Sequence, residues 1–226
     1  MERREVDMEK REIFNRMVDE GLIPVIRVSS APEAILVADA IREAKGSLIE
    51  ITMSVPGAID VIKELAQKYG DEVIMGAGTV LDTETGRAAL LAGAQFIVTP
   101  TLDLDLIQLA HRYSAVIIPG ALTPTEILTA WNAGADMVKV FPAAQVGGPE
   151  YIKALKGPLP QILLAPTGGV NLQNAGAFIR AGATALGVGG ELVDKKALKE
   201  KRLHVITENT LAFFKAIKEA RGNPRG

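Results

Sequence analysis

Val116-Ile117-Ile118-Pro119-Gly120-Ala121-Leu122-Thr123-Pro124-Thr125-Glu126 carries one complete strand-to-helix transition. Three β-branched residues in a row read as a strand buried on both faces, which is what a parallel sheet covered by helices requires. Pro119-Gly120 ends the run with turn chemistry. Thr123 then stands three residues before Glu126, a capping box that opens a helix to about Asn132.

The same unit recurs in both directions. Apolar strand runs are read at Leu22–Val28, Leu48–Met53, Val73–Met75, Phe96–Val98, Met137–Phe141, Ile162–Ala165 and Ala185–Val188. Helical stretches separate them: a second capping box at Ser30-Ala31-Pro32-Glu33 opens one to about Ala44, and others lie near Ala58–Tyr69, Thr83–Ala92, Asp103–Arg112, Glu150–Lys156 and Asn174–Ala181. An amphipathic stretch over His204–Ala220 closes the chain, the first dozen residues read as an extra N-terminal helix, and Gly222–Gly226 reads as frayed. Eight alternating units predict an α/β chain folded as a (β/α)₈ TIM barrel. The alternative is a doubly wound open sheet, but no Gly-rich dinucleotide fingerprint follows the first strand and no phosphate loop occurs. No Pro- or Ser-rich linker divides residues 1–226, so one domain is expected, with its core over about residues 20–220.

Composition removes several function classes. A net charge of −2 offers no basic surplus for nucleic acid or an anionic membrane surface. No cysteine is present, which excludes disulfides, thiolate metal sites and a cysteine nucleophile. His111 and His204 are the only histidines, so a three-histidine zinc site cannot form. The opening residues are charged and no run reaches membrane-spanning length, so a soluble cytoplasmic protein is expected.

Ionisable residues interrupt three of the apolar strands. Side chains alternate between the two faces of a strand, so one parity of each strand points into a barrel. If Ile49, Ile51 and Met53 face the helices, Glu50 and Thr52 face inward. Arg27 shares a face with Ile23 and Val25 and ends its strand at the barrel mouth. Lys139 shares a face with Met137 and Phe141, while Val138 and Val140 point outward. A lysine in such surroundings is costly to keep charged, and a neutral amine can attack a carbonyl to form a Schiff base. The competing reading of Lys139 is a strand-end lysine reaching to water. The competing reading of Arg27, Glu50 and Lys139 together is an internal ion cluster that fixes packing.

Weaker signals lie at the strand ends. Gly76-Ala77-Gly78-Thr79 reads as a tight turn or as a hydroxyl and N–H offered to a carboxylate. Thr99-Pro100-Thr101 and Pro119-Gly120 read as turns. Gly168, Gly169, Gly189 and Gly190 follow the last two strands, where barrels often hold a phosphate on bare glycine N–H groups.

Taken in order, IPVIR (23–27), IEIT (49–52), GAGTV (76–80), FIVTP (96–100), IPGALTPTE (118–126), VKVFPA (138–143), PTGGVN (166–171) and GVGGELV (187–193) resemble a known family. Over about residues 10–220 the chain is similar to the bacterial 2-keto-3-deoxy-6-phosphogluconate aldolases, a family that also acts on 4-hydroxy-2-oxoglutarate. The resemblance implies a class I aldolase on a (β/α)₈ barrel, a homotrimer, with a small 2-keto acid as substrate and no metal or organic cofactor. It implies Lys139 as the Schiff-base lysine and Glu50 as the proton-shuttling carboxylate. It implies Arg27 and Thr79 at the substrate carboxylate, Pro100 lining the pocket, Thr167 near the substrate, and the four glycines at the phosphate. Three positions depart from the family pattern. Ser54 stands where some members carry a carboxylate-binding arginine, Ala144 where many carry glutamate, and Gly190 where many carry a phosphate-binding serine. Two other functions are compatible with the residues alone: a barrel isomerase or synthase using Glu50 as base without a covalent lysine, and a non-catalytic barrel.

Overall fold

The computed structural model describes residues 2–222, with side chains from residue 9 onward. Its elements run α1 Glu2–Glu20, β1 Leu22–Ile26, α2 Ala31–Glu43, β2 Leu48–Thr52, α3 Ala58–Tyr69, β3 Ile74–Gly78, α4 Thr83–Leu91, β4 Phe96–Val98 and α5 Leu104–Arg112. There follow β5 Val116–Ile118, β6 Gly120–Ala121, α6 Pro124–Asn132, β7 Val138–Val140, α7 Pro149–Lys156, β8 Leu164–Pro166, α8 Ala175–Arg180, β9 Leu186–Val188, α9 Lys195–Lys199 and α10 His204–Gly222. Of the tail read as frayed, residues 223–226 lie outside the described residues. Among the described residues, no helix is long and apolar enough to cross a membrane.

All strand pairs are parallel. One curled sheet has the order β5-β4-β3-β2-β1-β9, and a shorter one the order β6-β7-β8. The fifth strand has its expected bounds, Val116–Ile118, and ends at Pro119, which has no N–H to give to a ladder; Gly120–Ala121 beyond it forms a further short strand where the sequence reads as a turn. The two strands bond to different neighbours: the Ile118 carbonyl accepts from Thr99 N–H, while the Pro119 carbonyl accepts from Lys139 N–H at 2.9 Å.

The third strand differs most from expectation. Its ladder with β2 runs from Leu48↔Ile74 to Thr52↔Gly78, so Gly76-Ala77-Gly78 is strand rather than turn. The two glycines face inward, where neighbouring side chains already fill the space. A β-carbon on Gly76 would overlap the Phe96 ring, and one on Gly78 would overlap the Glu50 carboxyl.

Helix starts follow their caps. At α6, Thr123 accepts from Glu126 N–H and Glu126 returns a bond to Thr123 N–H, completing the capping box. At α2 the exchange is displaced: Ser30 accepts from Glu33 N–H, but the Glu33 carboxylate takes the N–H and hydroxyl of Ser29. The short α9 was not anticipated; its signal is Asp194, whose side chain accepts Ala197 N–H at 2.7 Å.

Two apolar clusters result. The larger lies between strands and helices and contains Ile49, Ile51, Val138 and Val140. The smaller lies inside the curl of the strands and joins Ile23, Leu48, Ile74, Phe96, Val116 and Met137 to Ile13 and Met17 of α1. Glu50, Thr52, Thr99 and Lys139 are the buried polar groups on or next to the strands, so the interior is apolar at one level and polar at another. Phe96 is fully buried in that inner cluster, and Phe96→Ala should cost about 3–5 kcal/mol of unfolding free energy. Denaturant titration checks this; a loss below about 1 kcal/mol would show that the inner cluster is not a packed core.

Candidate active site

Lys139 occupies the centre of β7. Its backbone is fixed on both sides, with registers Gly120↔Lys139 and Lys139↔Ala165. Val138 and Val140 pack outward, which turns the lysine into the interior, where it is 5% exposed. Its Nζ stands 5.2 Å from the centroid of the Phe141 ring, itself 38% exposed at the mouth. The bond from Phe141 to Pro142 is cis.

Glu50 on β2 is 2% exposed. Its Oε1 is buried without a hydrogen-bond partner, the only such side-chain atom among the described residues. Burial lowers the Lys139 pKa below its ordinary value; the Glu50 charge opposes that shift and the Arg27 charge reinforces it. Burial likewise raises the Glu50 pKa, against the pull of Lys139 and Arg27. Both groups are driven toward their neutral forms because each ion loses more hydration than its neighbours return. Lys139 and Glu50 form no ion pair within 4.0 Å among the described residues. They feel each other through the field, with room between them.

Arg27, exposed just past β1, donates from Nη2 to Thr79 Oγ1 at 3.1 Å. Thr79 follows β3 with φ 58°, a left-handed conformation that a β-branched residue rarely adopts. Such strain costs on the order of 1–3 kcal/mol and collects at functional sites. Thr52 is buried, donates to the Ile26 carbonyl at 3.0 Å and shares a 2.8 Å hydrogen bond with Ser54. These bonds tie the ends of β1 and β2 together beside Arg27.

Pro100 is half-buried, and its carbonyl backs onto Gly120, where a β-carbon would collide with it. Thr99 Oγ1 accepts Gly120 N–H at 3.1 Å. The Thr99–Thr101 and Pro119-Gly120 segments therefore clasp each other beside Lys139, which is more than the turn role expected. Thr167 donates its N–H to Val140 O at 2.9 Å, and its side chain fills the space over Gly187.

Gly168 and Gly169 have φ of 89° and 73°. Their carbonyls accept from Ala144 N–H and Asn174 Nδ2, and among the described residues their own N–H groups have no protein acceptor. The Gly189 carbonyl accepts from Leu192 and Val193, while Gly190 is exposed with nothing near its would-be β-carbon. Arg27 also borders a cleft of about 560 Å³ with Ser29, Glu33, Lys195 and Lys199.

The structure thus brings Arg27, Glu50 and Lys139 within mutual electrostatic reach and links Thr79 to them through Arg27. Phe141 was not among the site residues expected from sequence, although an aromatic two positions after the lysine on the same face is a legible signal. That the Glu50 carboxyl lies over Gly78 has no signal in the sequence around Gly78, because the two residues stand on different strands.

A sequence model described as "Aldolase: KDPG and KHG aldolase" matches residues 13–209. The 2-dehydro-3-deoxy-6-phosphogalactonate aldolase of Escherichia coli is 36% identical over 200 residues, covering 88% of this chain and 95% of that one. The 2-dehydro-3-deoxy-phosphogluconate aldolase of Pseudomonas aeruginosa is 34% identical, covering 80% and 81%. Among solved structures, the KDPG aldolase of Legionella pneumophila, with pyruvate captured as a covalent carbinolamine, superposes with TM-score 0.82 at 28% identity. That match covers 88% of this chain and 97% of that one.

Lys139 binds its proton less tightly folded than unfolded, so stability is lost as pH falls from its ordinary value of 10.5 through the folded value. Lys139→Met should therefore be more stable than the parent at pH 7, with the difference closing above pH 10.5. Each kcal/mol would appear as about 2–4 °C in thermal unfolding; a variant less stable at pH 7 would contradict the assignment.

Proposed function

The chain belongs to the KDPG and KHG aldolase family, and on that premise we propose how its residues divide the work of a class I aldolase. The observation that carries the reading is a nearly dry lysine amine held between the fields of Glu50 and Arg27. An ordinary lysine is neutral about one time in a thousand near pH 7.5, and each pKa unit of depression raises that fraction tenfold.

The substrate is a 2-keto-3-deoxy acid. Its carboxylate lies on Arg27 and Thr79, whose hydroxyl accepts a hydrogen bond from the guanidinium. The Lys139 amine attacks the C2 ketone, and the carbinolamine loses water as Glu50 in its acid form protonates the departing hydroxyl. The resulting Glu50 carboxylate takes the proton of the C4 hydroxyl. The C3–C4 bond breaks, its electrons pass into the iminium to give an enamine, and an aldehyde leaves. Glu50 returns the proton to C3, and water then releases pyruvate and restores the amine. A raised Glu50 pKa suits a group that must hold a proton between steps.

Pro100 and Thr167 line the pocket, and the free N–H groups of Gly168 and Gly169, with Gly189 and Gly190, receive a distal phosphate. The substrates are 2-keto-3-deoxy-6-phospho sugar acids, giving pyruvate and glyceraldehyde 3-phosphate, and 4-hydroxy-2-oxoglutarate, giving pyruvate and glyoxylate.

The strands make a closed (β/α)₈ barrel within a single domain. Three observations support closure: Ile117 O accepts from Asp136 N–H, Thr184 N–H donates to Leu164 O, and a parallel bridge joins Thr167 to Gly187. α1 is the added N-terminal helix; Ile13 and Met17 join it to the interior. The assembly is a homotrimer; Leu81, Leu91, Leu104 and Leu128, exposed on or beside α4 to α6, supply apolar surface for it.

Borohydride added with pyruvate should leave a reduced pyruvyl group on Lys139, and Lys139→Ala should abolish it. An adduct on another lysine with activity retained would contradict the reading. Gly190→Ser should raise kcat/KM for the phosphorylated substrate about tenfold, the worth of one hydrogen bond to a charged group, and leave 4-hydroxy-2-oxoglutarate unchanged. Equal effects on both substrates would remove Gly190 from the phosphate site.

A further inference from the structure

Gly78 is not explained by backbone freedom. It lies within β3, opposite Thr52, outside the positive-φ positions, and its carbonyl accepts Met53 N–H at 2.8 Å. Alanine fits that backbone, and glycine inside a strand weakens it unless another group must come close. Here the close group is Glu50. In register Glu50 faces Gly76, not Gly78, yet its side chain leans along the strand until the carboxyl lies over Gly78. A β-carbon there would overlap Oε1 and stand 2.5 Å from Cδ and 2.6 Å from Cγ. Gly76 faces a different occupant, the Phe96 ring. Two inward glycines on one strand therefore serve two purposes, one clearing the apolar core and the other clearing the carboxylate.

We propose that Gly78 is a positioning residue for the aldolase reaction: its missing side chain is the lane along which Glu50 carries its carboxyl toward the mouth, level with Lys139 and Arg27. The inference rests on the assignment of Glu50 as the proton shuttle. A β-carbon at 78 pushes the carboxyl off that line. It cannot settle deeper, because Phe96 and the inner apolar cluster fill the space there. A misplacement of about 1 Å at a proton-transfer group costs on the order of a hundredfold in rate.

The test is a double-mutant cycle of Gly78→Ala with Glu50→Ala, with Gly76→Ala as control. It is read by kcat/KM across pH, by borohydride trapping and by thermal unfolding. Gly78→Ala should lower kcat/KM about a hundredfold and displace its pH profile while Lys139 still traps pyruvate. In the Glu50→Ala background the same substitution should cost no further activity and no stability, because the lane is empty. That arm decides the matter even if Gly78→Ala alone does not fold. Gly76→Ala should lower stability and leave the pH profile in place. An unchanged rate and profile in Gly78→Ala, or losses that multiply in the double variant, would overturn the proposal. If Glu50→Ala itself keeps full activity, the shuttle assignment fails and the positioning role falls with it.

Discussion

One buried amine sets the terms for the interior of this chain. Lys139, Glu50 and Arg27 carry a summed charge of +1 if all are ionised, in a space where two of the three side chains are almost wholly removed from water. Burial acts on both buried groups in the neutral direction, and the charges of the other two only partly offset it. A shift of the amine toward its neutral form and of the carboxyl toward its protonated form are thus two consequences of one desolvation. In the proposed reaction the substrate carboxylate supplies the negative charge that the trio lacks, on the Arg27 side.

The fold concentrates strain around that trio. Thr79 is held left-handed against Arg27, Glu50 Oε1 is buried without a partner, and β3 gives up two side chains on its inner face. The inner apolar cluster, closed by Ile13 and Met17 of α1, shares only the second glycine, Gly76, which makes way for the Phe96 ring. Well-packed apolar material on one level over-determines the strands, so that their far ends can hold groups in arrangements that water would otherwise relax.

Much of this could be read from the residues alone, because strand parity is strictly local. Val138 and Val140 outward forces Lys139 inward, and Ile49 with Ile51 does the same for Glu50. The capping box at Thr123–Glu126 was legible for the same reason, since its partners are three residues apart. At Ser30 the pattern was legible but its partner was not, because Glu33 had a second serine within reach. The errors fall where a residue's reason lies on another strand. Gly76 and Gly78 look like a turn until Phe96 and Glu50 are in place, and Pro119-Gly120 looks like a plain turn until β7 is known to pair with Gly120–Ala121. Parity already placed Phe141 on the face of Lys139, and the same reading could have named its ring as part of the site.

The most direct measurement is the titration of the Lys139 ammonium itself, by NMR of selectively labelled lysine side chains with Lys139→Arg to assign the signal. A folded pKa well below the ordinary 10.5, distinct from the solvated lysines, is the predicted result. A Lys139 that titrates with the surface lysines would contradict the account, because the nitrogen would then be no more ready than any other to enter a covalent bond with a ketone.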